Sequence, residues 1–562
     1  MAWLEARPVA LKPYPKGRPV DAAARVEVEA LIAGLPRQRD LLIEYLHRIQ
    51  DARGHLLVAH LTALADLLKL APVEVYEVAT FYHHFDVVQS GEPPPPVVTI
   101  RVCTSLSCAL AGGVDLGDRL ARSPLHDVRV VAAPCLGRCE TAPVAVVGQN
   151  PIAHATPATV EAVLAARDLA PPIPTPIAYE EYRAAGGYER YAECVTGRRT
   201  PEDVIMILED ARLRGMGGAG FPAGRKWRAV KAEPAPRYLA VNIDEGEPGT
   251  FKDRRCLELD PHRFVEGALI AAWAVEAAAI YLYIRDEYAG CRIALERELD
   301  ALRATPPVAT HPLVPIYLRR GAGAYICGEE SAMIESIEGK RGLPRLRPPY
   351  VAQRGLFGRP TLEHNIETLF WIRGIVERGA AWFAGHGRHG RHGLRAYSVS
   401  GRVQRPGVHV APAGITVREL IDEFAGGMLP GHLLYAYLPG GASGGILPAS
   451  LGDVPLDFDT LNDHGAFIGS AAIIVLSDRD RASDAARNVL AFFRDESCGQ
   501  CTPCREGTRQ AVELMKTPRW DRALLAELCD TMADASICGL GQAAPNVIRC
   551  VQQYFADEVG GA

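Results

Sequence analysis

Cys498, Cys501 and Cys504 are separated by two residues each, and Cys538 follows further along the chain. Three thiolates at that spacing can wrap one corner of a cubic cluster and a distant fourth can close it, the ligand set of a [4Fe–4S] centre. Structural zinc is the rival, although zinc sites more often use two separated pairs than a triplet. A second set pairs Cys103 with Cys108 and Cys135 with Cys139. Each pair falls at the end of a predicted strand, where a loop can present sulfur. Taken alone, two such pairs suit a [2Fe–2S] rhomb or one tetrahedral zinc equally well. Beside another cluster and a cofactor site, iron–sulfur is the preferred reading. The remaining thiols, Cys194, Cys256, Cys291, Cys327, Cys529 and Cys550, have no such spacing and read as core residues.

The segment Gly215-Met216-Gly217-Gly218-Ala219-Gly220 satisfies G-x-G-x-x-G in its letters. A dinucleotide fingerprint must follow a strand and open a helix. Here the preceding stretch, 201–214, has helical periodicity, and the first convincing strand, 238–243, comes afterwards, so that reading fails on context. Four glycines in six residues still allow backbone to approach a phosphate or an aromatic ring, and Lys226 follows within reach. A purely structural turn is the bland alternative. After the strand comes a polar loop containing Asn242, Asp244, Glu245 and Glu247, at a strand's C-terminal end, where open α/β sheets bind ligands. Its carboxylates suit the hydroxyls of ribose or ribityl. Gly328, Glu329 and Glu330, then His364, Asn365, Glu367 and Thr368, form two more polar constellations. Each alone could be a solvated loop; together they point to one extended cofactor pocket.

These groups need elements to position them. Residues 39–82 read as short helices, with Leu41, Leu42, Tyr45, Leu46 and Ile49 on one face, a break at Gly54, and Pro72 in a first turn. Prolines 93–96 separate this bundle, residues 1–92, from a strand–helix region, 93–170, with predicted strands at 97–102, 128–132 and 144–147. A second proline-rich stretch, 171–176, resembles a stiff spacer and is the expected major boundary. Residues 178–395 read as glycine-rich mixed α/β and 396–480 as a small sheet domain with one helix over 416–424. Residues 481–562 read as helices interrupted by the cysteine triplet. The histidine-rich run 385–393 reads as a solvated loop rather than a metal tract.

The composition agrees with a multidomain globular chain of 562 residues, 48% apolar and 23% charged. With 61 basic against 67 acidic side chains, no basic excess suggests nucleic acid. Fourteen cysteines are too sparse for a disulfide scaffold. The N-terminus has no apolar core of a signal peptide. The longest apolar stretch, 264–284, contains Glu266 and Glu276, so a buried helix running into a strand is expected rather than a membrane span. A cytoplasmic location, with no membrane partner, is the expectation.

The glycine loop, the Asn242–Thr250 loop, the Gly328-Glu329-Glu330 segment and the C-terminal cysteine triplet resemble the FMN-binding, NADH-oxidising subunit of respiratory complex I, from about residue 178 onward. Residues 20–170, with Val78-Ala-Thr-Phe81-Tyr82 and the four-cysteine pattern, resemble the small [2Fe–2S] subunit of the same complex. The chain thus looks like a fusion of two electron-input subunits. The resemblance implies a thioredoxin-like [2Fe–2S] domain after the bundle, a Rossmann-like FMN domain, a ubiquitin-like β-grasp domain and a helical [4Fe–4S] domain. Two departures, Met216 where arginine is common and His364-Asn365 where Asn-Asn is common, look more like the β subunit of a molybdenum- or tungsten-dependent formate dehydrogenase. The stretch between Cys108 and Cys135 is shorter than is usual in the complex I subunit.

By resemblance, Gly215, Gly217, Gly218 and Gly220, with Lys226, Asn242, Asp244, Gly328, Asn365 and Thr368, hold FMN, and Glu245 belongs to the same pocket. Phe221 stacks on the adenine of NAD(H), Glu247 binds its ribose, and Glu329 and Glu330 line the flavin face as the catalytic pair. Cys498, Cys501, Cys504 and Cys538 bind [4Fe–4S]; Cys103, Cys108, Cys135 and Cys139 bind [2Fe–2S]. A diaphorase is implied, fed by a large catalytic (alpha) subunit of formate dehydrogenase with its own clusters. The alternatives are the diaphorase of an NAD-reducing hydrogenase, a complex I-like NADH dehydrogenase, and a zinc- or cluster-bearing scaffold without turnover.

Overall fold

The computed structural model describes residues 19–560. The N-terminal residues read for an export signal lie outside that range. The chain divides into two compact units between Pro95 and Pro96. The first holds four helices, Ala22–Leu31, Leu42–Arg53, Val58–Leu68 and Pro72–Phe81. Leu42, Tyr45, Leu46 and Ile49 are buried as the periodicity requires. Gly54 adopts φ +77° and donates its N–H to the Gln50 carbonyl, ending the second helix in a left-handed cap.

The second unit opens with a four-stranded sheet of strands β1 (Val98–Cys103), β2 (Val128–Ala133), β3 (Ala145–Val147) and β4 (Asn150–Ile152), in the order β2-β1-β3-β4. Strand β2 runs parallel to β1, and β3 and β4 are antiparallel. This is the thioredoxin-like domain. Its core of Ile100, Val102, Leu116, Leu120, Val147 and Val160 packs helices Gly113–Arg122 and Pro157–Ala166 on the sheet. The proline stretch at 171–176 does not divide the chain. It lies against the helix Ala289–Ala304, where Gly290 approaches the Pro172 carbonyl so closely that a Cβ would sit 2.0 Å from the oxygen. Proline stiffness marks a spacer, but here contact holds it down.

The next sheet is wholly parallel: β5 (Arg237–Ile243), β6 (Ala277–Ile284), β7 (Ile316–Arg320) and β8 (Thr361–Asn365), in the order β8-β5-β6-β7. Strand β6, Ala277–Ile284, is the continuous apolar run expected of a strand covered on both faces, whereas β8 carries Glu363, His364 and Asn365 toward its carboxyl end. The helix Pro261–Val275 runs straight into β6, as the 264–284 stretch predicts, and is buried on nearly every side. Glu266, fully buried in that helix, is satisfied by Tyr182 Oη at 2.6 Å and by the Tyr191 N–H. Among the described residues no helix is long and apolar enough to cross a membrane.

The third sheet has β9 (Leu394–Gly401), β10 (Gly407–Pro412), β11 (Leu434–Leu438), β12 (Leu447–Pro448) and β13 (Ala472–Ser477), in the order β10-β9-β13-β11-β12. First and last strands run parallel at its centre, the β-grasp arrangement. The helix expected over 416–424 begins as one α turn, Val417–Glu419, and widens into a π turn, Leu420–Phe424. Four longer helices complete the chain: Ala482–Asp495, Thr502–Leu514, Arg522–Ala535 and Asn546–Tyr554.

Candidate functional site

In the parallel sheet the chain leaves β5 toward β6 and β7, then returns to place β8 on the other side of β5. The β5/β8 boundary is therefore the topological switch point, where crossovers diverge and open a crevice at the strands' carboxyl ends. Asn242 and Asn365 are register partners there. Asn242 Nδ2 donates to the Gly328 carbonyl at 2.8 Å, and its Oδ1 accepts the Asp244 N–H at 3.1 Å. Asn365 caps the helix Ile366–Arg378 and donates to Asp253 at 2.6 Å. Lys252, 1% exposed, reaches Asp253, Asn365 and Glu367 at 2.6, 3.2 and 3.1 Å. Burial opposes its charge, but Asp253, Glu367 and Glu245 outweigh it and raise its pKa.

The glycine loop lies over this crevice. As the pattern predicts, a helix (Pro201–Asp210) precedes it. The loop is closed by the Gly215 N–H on the Phe221 carbonyl at 2.8 Å, and the Met216 N–H donates to Thr368 Oγ1 at 2.9 Å. A Cβ on Gly217 would come within 3.1 Å of Asn365 Cβ. Gly220, at φ +64°, rests on the Phe458 ring of the small sheet domain, where a Cβ would approach to 2.4 Å. That ring is held between the guanidiniums of Arg214 and Arg395, 4.5 and 4.1 Å from its centre. Behind the loop lies a cavity of about 230 Å³ walled by Arg212, Arg214, Arg391 and Arg395. Asp459 pairs with Arg214, and Asp457 with Arg391 and Arg395, so two carboxylates face four guanidiniums and the seam keeps a positive excess. The nearby histidines of the 385–393 run are exposed, as a solvated loop requires.

The acidic loop after β5 divides its carboxylates. Asp244 is half-buried, with Oδ2 shielded from solvent and lacking any hydrogen-bond partner, and desolvation raises its pKa well above the carboxylate range. Glu245 is turned inward, accepting from the Asp253 and Arg254 N–H groups and from Tyr288 Oη at 2.8, 3.1 and 2.8 Å. Glu247 accepts from the Ser443 N–H and Oγ at 2.7 and 2.6 Å, and from Tyr325 Oη at 2.8 Å. Lys226 reaches Glu363 at 3.1 Å and Glu330 at 3.9 Å. Arg347 pairs with Glu330 at 3.2 Å and also with Glu329. Glu329 caps the helix Glu330–Ile337, and burial raises Glu330. His364 accepts from Trp227 Nε1 at 2.7 Å, and burial, then Lys226, hold its pKa well below the usual value. Phe221 is 52% exposed.

The thiols gather in two sets. Cys103 ends β1, Cys108 lies in the next helix, and Cys135 and Cys139 flank the loop after β2, with sulfurs 3.4 Å apart. Cys139 feels the other three sulfurs of the set, and Cys108 feels those of Cys103 and Cys135. A hydrogen bond from Cys108 holds the Cys103 thiol down at about 7, despite complete burial. In the tail, Cys501 caps the helix Thr502–Leu514, Cys504 lies in its first turn, and Cys538 precedes a further short helix. Burial pushes Cys504 up to about 11 and Cys538 to about 12. Among the described residues no three His, Cys, Asp or Glu side chains converge tightly enough for one metal ion. A multi-iron cluster spreads its thiolates farther apart. The thiolate sets fit clusters, and the unpartnered Asp244 oxygen beside a glycine cradle fits a polar cofactor.

Sequence spacing missed several residues around this site. Arg254, Arg285, Tyr288, Trp227 and Arg347 belong to no motif, and three-dimensional proximity alone reveals them. The six thiols outside the two sets are buried singly, except the half-buried Cys256.

Three family descriptions match in chain order: "Thioredoxin-like [2Fe-2S] ferredoxin" over 28–168, "Nuo51 FMN-binding domain" over 208–373, and "NADH-ubiquinone oxidoreductase-F iron-sulfur binding region" over 484–561. The chain is 41% identical over 389 residues to the NADH-quinone oxidoreductase F 2 subunit of Rhizobium meliloti, covering 67% of this chain and 92% of that protein. It is 42% identical over 379 residues to the mitochondrial NADH-ubiquinone oxidoreductase 51 kDa subunit of Neurospora crassa, covering 63% and 76%. Among solved structures, a chain of NAD+-reducing [NiFe]-hydrogenase in the H2-reduced state matches with a TM-score of 0.80 and 31% identity, over 93% of this chain and 92% of that one.

Proposed function

The chain belongs to the family of the NADH-ubiquinone oxidoreductase 51 kDa subunit and its bacterial NADH-quinone oxidoreductase counterparts, and on that footing we propose that it is the diaphorase subunit of an NAD-dependent formate dehydrogenase. It is an FMN-dependent NAD(H) oxidoreductase module with a thioredoxin-like [2Fe–2S] domain and a C-terminal [4Fe–4S] region. The observation that carries the reading is the meeting of the glycine loop, the acidic loop and Asn365 at the switch point, flanked by two thiol sets.

When bound, FMN supplies the exchange between a two-electron hydride and single electrons, which nicotinamide and iron–sulfur clusters cannot make directly. The protein's part is position. Gly215, Gly217, Gly218 and Gly220 bring backbone close to the flavin, and Asn242, Asp244, Gly328, Asn365 and Thr368 line the crevice beneath. Lys226, steadied by Glu363, offers its ammonium from the side. Glu245 acts from behind, fixing the loop through its own hydrogen bonds. Phe221 offers a ring to the adenine of NAD(H), and Glu247 a carboxylate to its ribose. Glu329 and Glu330 would line the face that receives the nicotinamide, where orientation of the reacting groups supplies the rate.

The formate assignment rests on Met216 and His364, the two departures resembling the formate dehydrogenase β subunit. It implies a cytoplasmic complex with a large molybdenum or tungsten subunit carrying further clusters. A second reading, the diaphorase of an NAD-reducing hydrogenase, is favoured by the likeness spanning 93% of the chain. Anaerobic purification of the native complex, with metal analysis and NAD+ reduction assayed against formate and hydrogen, separates them. Molybdenum or tungsten with formate-driven reduction supports the first. Nickel with hydrogen-driven reduction overturns it.

A further inference from the structure

Arg285 follows β6 and is 4% exposed. Its guanidinium is shared between two loops: one terminal nitrogen donates to the Glu245 carbonyl of the acidic loop, the other to the Cys135 carbonyl at 2.8 Å. Glu287 balances the charge through contacts of 2.6 and 3.0 Å. A second buried guanidinium, Arg254, donates Nε to the Gly137 carbonyl at 2.9 Å and pairs with Glu140 and Glu258. Between them Gly137, at φ +68°, packs so tightly on Tyr288 that a Cβ would lie 2.3 Å from its hydroxyl. That hydroxyl donates to Glu245. Three side chains of the flavin domain therefore grip residues 135–137, one of which is a candidate cluster ligand, and two of them reach the acidic loop with the same group.

A planar guanidinium holds its two terminal nitrogens in fixed relation, so one that bridges two loops fixes their separation. Groups that hydrogen-bond around a cluster and carry charge near it also tune its reduction potential. Reduction adds one negative charge, which a buried cation favours and a buried carboxylate opposes, both more strongly in a low-dielectric interior. Resting on the reading that Cys103, Cys108, Cys135 and Cys139 hold [2Fe–2S], we infer that Arg285 positions this cluster against the flavin loop and that the opposed charges of Arg285 and Glu287 set its potential. An ordinary interdomain ion pair would affect stability alone.

The test is redox titration of the anaerobically purified full chain, followed by EPR, with the [4Fe–4S] signal as internal reference. Arg285→Gln leaves Glu287 uncompensated and lowers the [2Fe–2S] midpoint. Glu287→Gln leaves Arg285 uncompensated and raises it. The [4Fe–4S] midpoint stays where it is in both. Midpoints that do not move, or that move the same way in both variants, overturn the inference. Should Arg285→Gln not accumulate folded, Arg254→Gln replaces it and is expected to lower the midpoint as well. Absence of a [2Fe–2S] signal from the unaltered chain would sink the underlying cluster reading instead.

Discussion

Glu245 and Glu247 lie two residues apart on one loop and are held from opposite sides. Glu245 is tied to Tyr288 and the Asp253–Arg254 backbone, the elements that grip the Cys135 loop. Glu247 is tied to Tyr325, whose own N–H donates to Glu496 at 2.9 Å, two residues before Cys498. The segment that closes the switch point is thus connected to both thiol sets. The links are hydrogen bonds that run from the acidic loop to the neighbourhoods of both sets.

The exposed Phe221 ring is expected to serve the nucleotide and not the fold. Stacking on a base is worth about 1–3 kcal/mol, and about 1.4 kcal/mol is tenfold. Phe221→Ala should raise KM for NADH by roughly 5- to 140-fold, with FMN content and melting temperature unchanged. Steady-state kinetics beside flavin quantification checks this; an unaltered KM removes Phe221 from the nucleotide site.

Gly220 cannot tolerate a side chain. A left-handed backbone costs a non-glycine residue about 1–2 kcal/mol, and the added carbon would strike Phe458 at 2.4 Å. Gly220→Ala should weaken FMN retention at least about tenfold, read as the dissociation constant from flavin fluorescence. Retention at the original affinity would show that the loop does not hold FMN.

Much of this site was legible from residue spacing because chemistry confined to a short loop leaves local traces. The helix before Gly215, the strand that carries Asn242 near its end and both thiol sets are such cases. The pairing of Asn242 with Asn365 was not, since it depends on β8 returning beside β5 across more than a hundred residues. Nor was β4, only three residues long with Pro151 inside it, a residue that sheets confine to edges. The inward turn of Glu245 also escaped, because a carboxylate in a polar loop carries no sign of its direction.

His364 should make the protein acid-sensitive. Trp227 Nε1 donates to its Nε2, so the folded state needs the neutral ring. With the folded pKa well below the ordinary 6.5, its stabilisation is complete above pH 6.5 and is lost progressively as pH falls below that value. The loss approaches about 1.4 kcal/mol per pH unit over the titrating range. His364→Gln keeps an acceptor for Trp227 but cannot titrate. Melting curves at pH 7.5 and 5.5 should show a smaller acid-induced drop in the variant; equal drops would remove His364 as the cause.

Cys501→Ser should abolish the [4Fe–4S] EPR signal and lower iron content, while NADH still bleaches the flavin. Loss of flavin reduction instead would mean that the tail shapes the nucleotide site. A wild-type preparation that is colourless and releases no flavin on heating would return the protein to the status of a scaffold.

The Asn242–Asn365 pairing also sets an order of events during synthesis. The two residues lie 123 positions apart, and Gly220 is braced by Phe458, still further along. Contacts so distant in sequence are slow to form, and Phe458 can brace Gly220 only after it has itself been synthesised. A nascent polypeptide truncated before the small sheet domain would display the glycine loop without its brace. The glycine loop can take the shape seen here only in a chain that already includes Phe458.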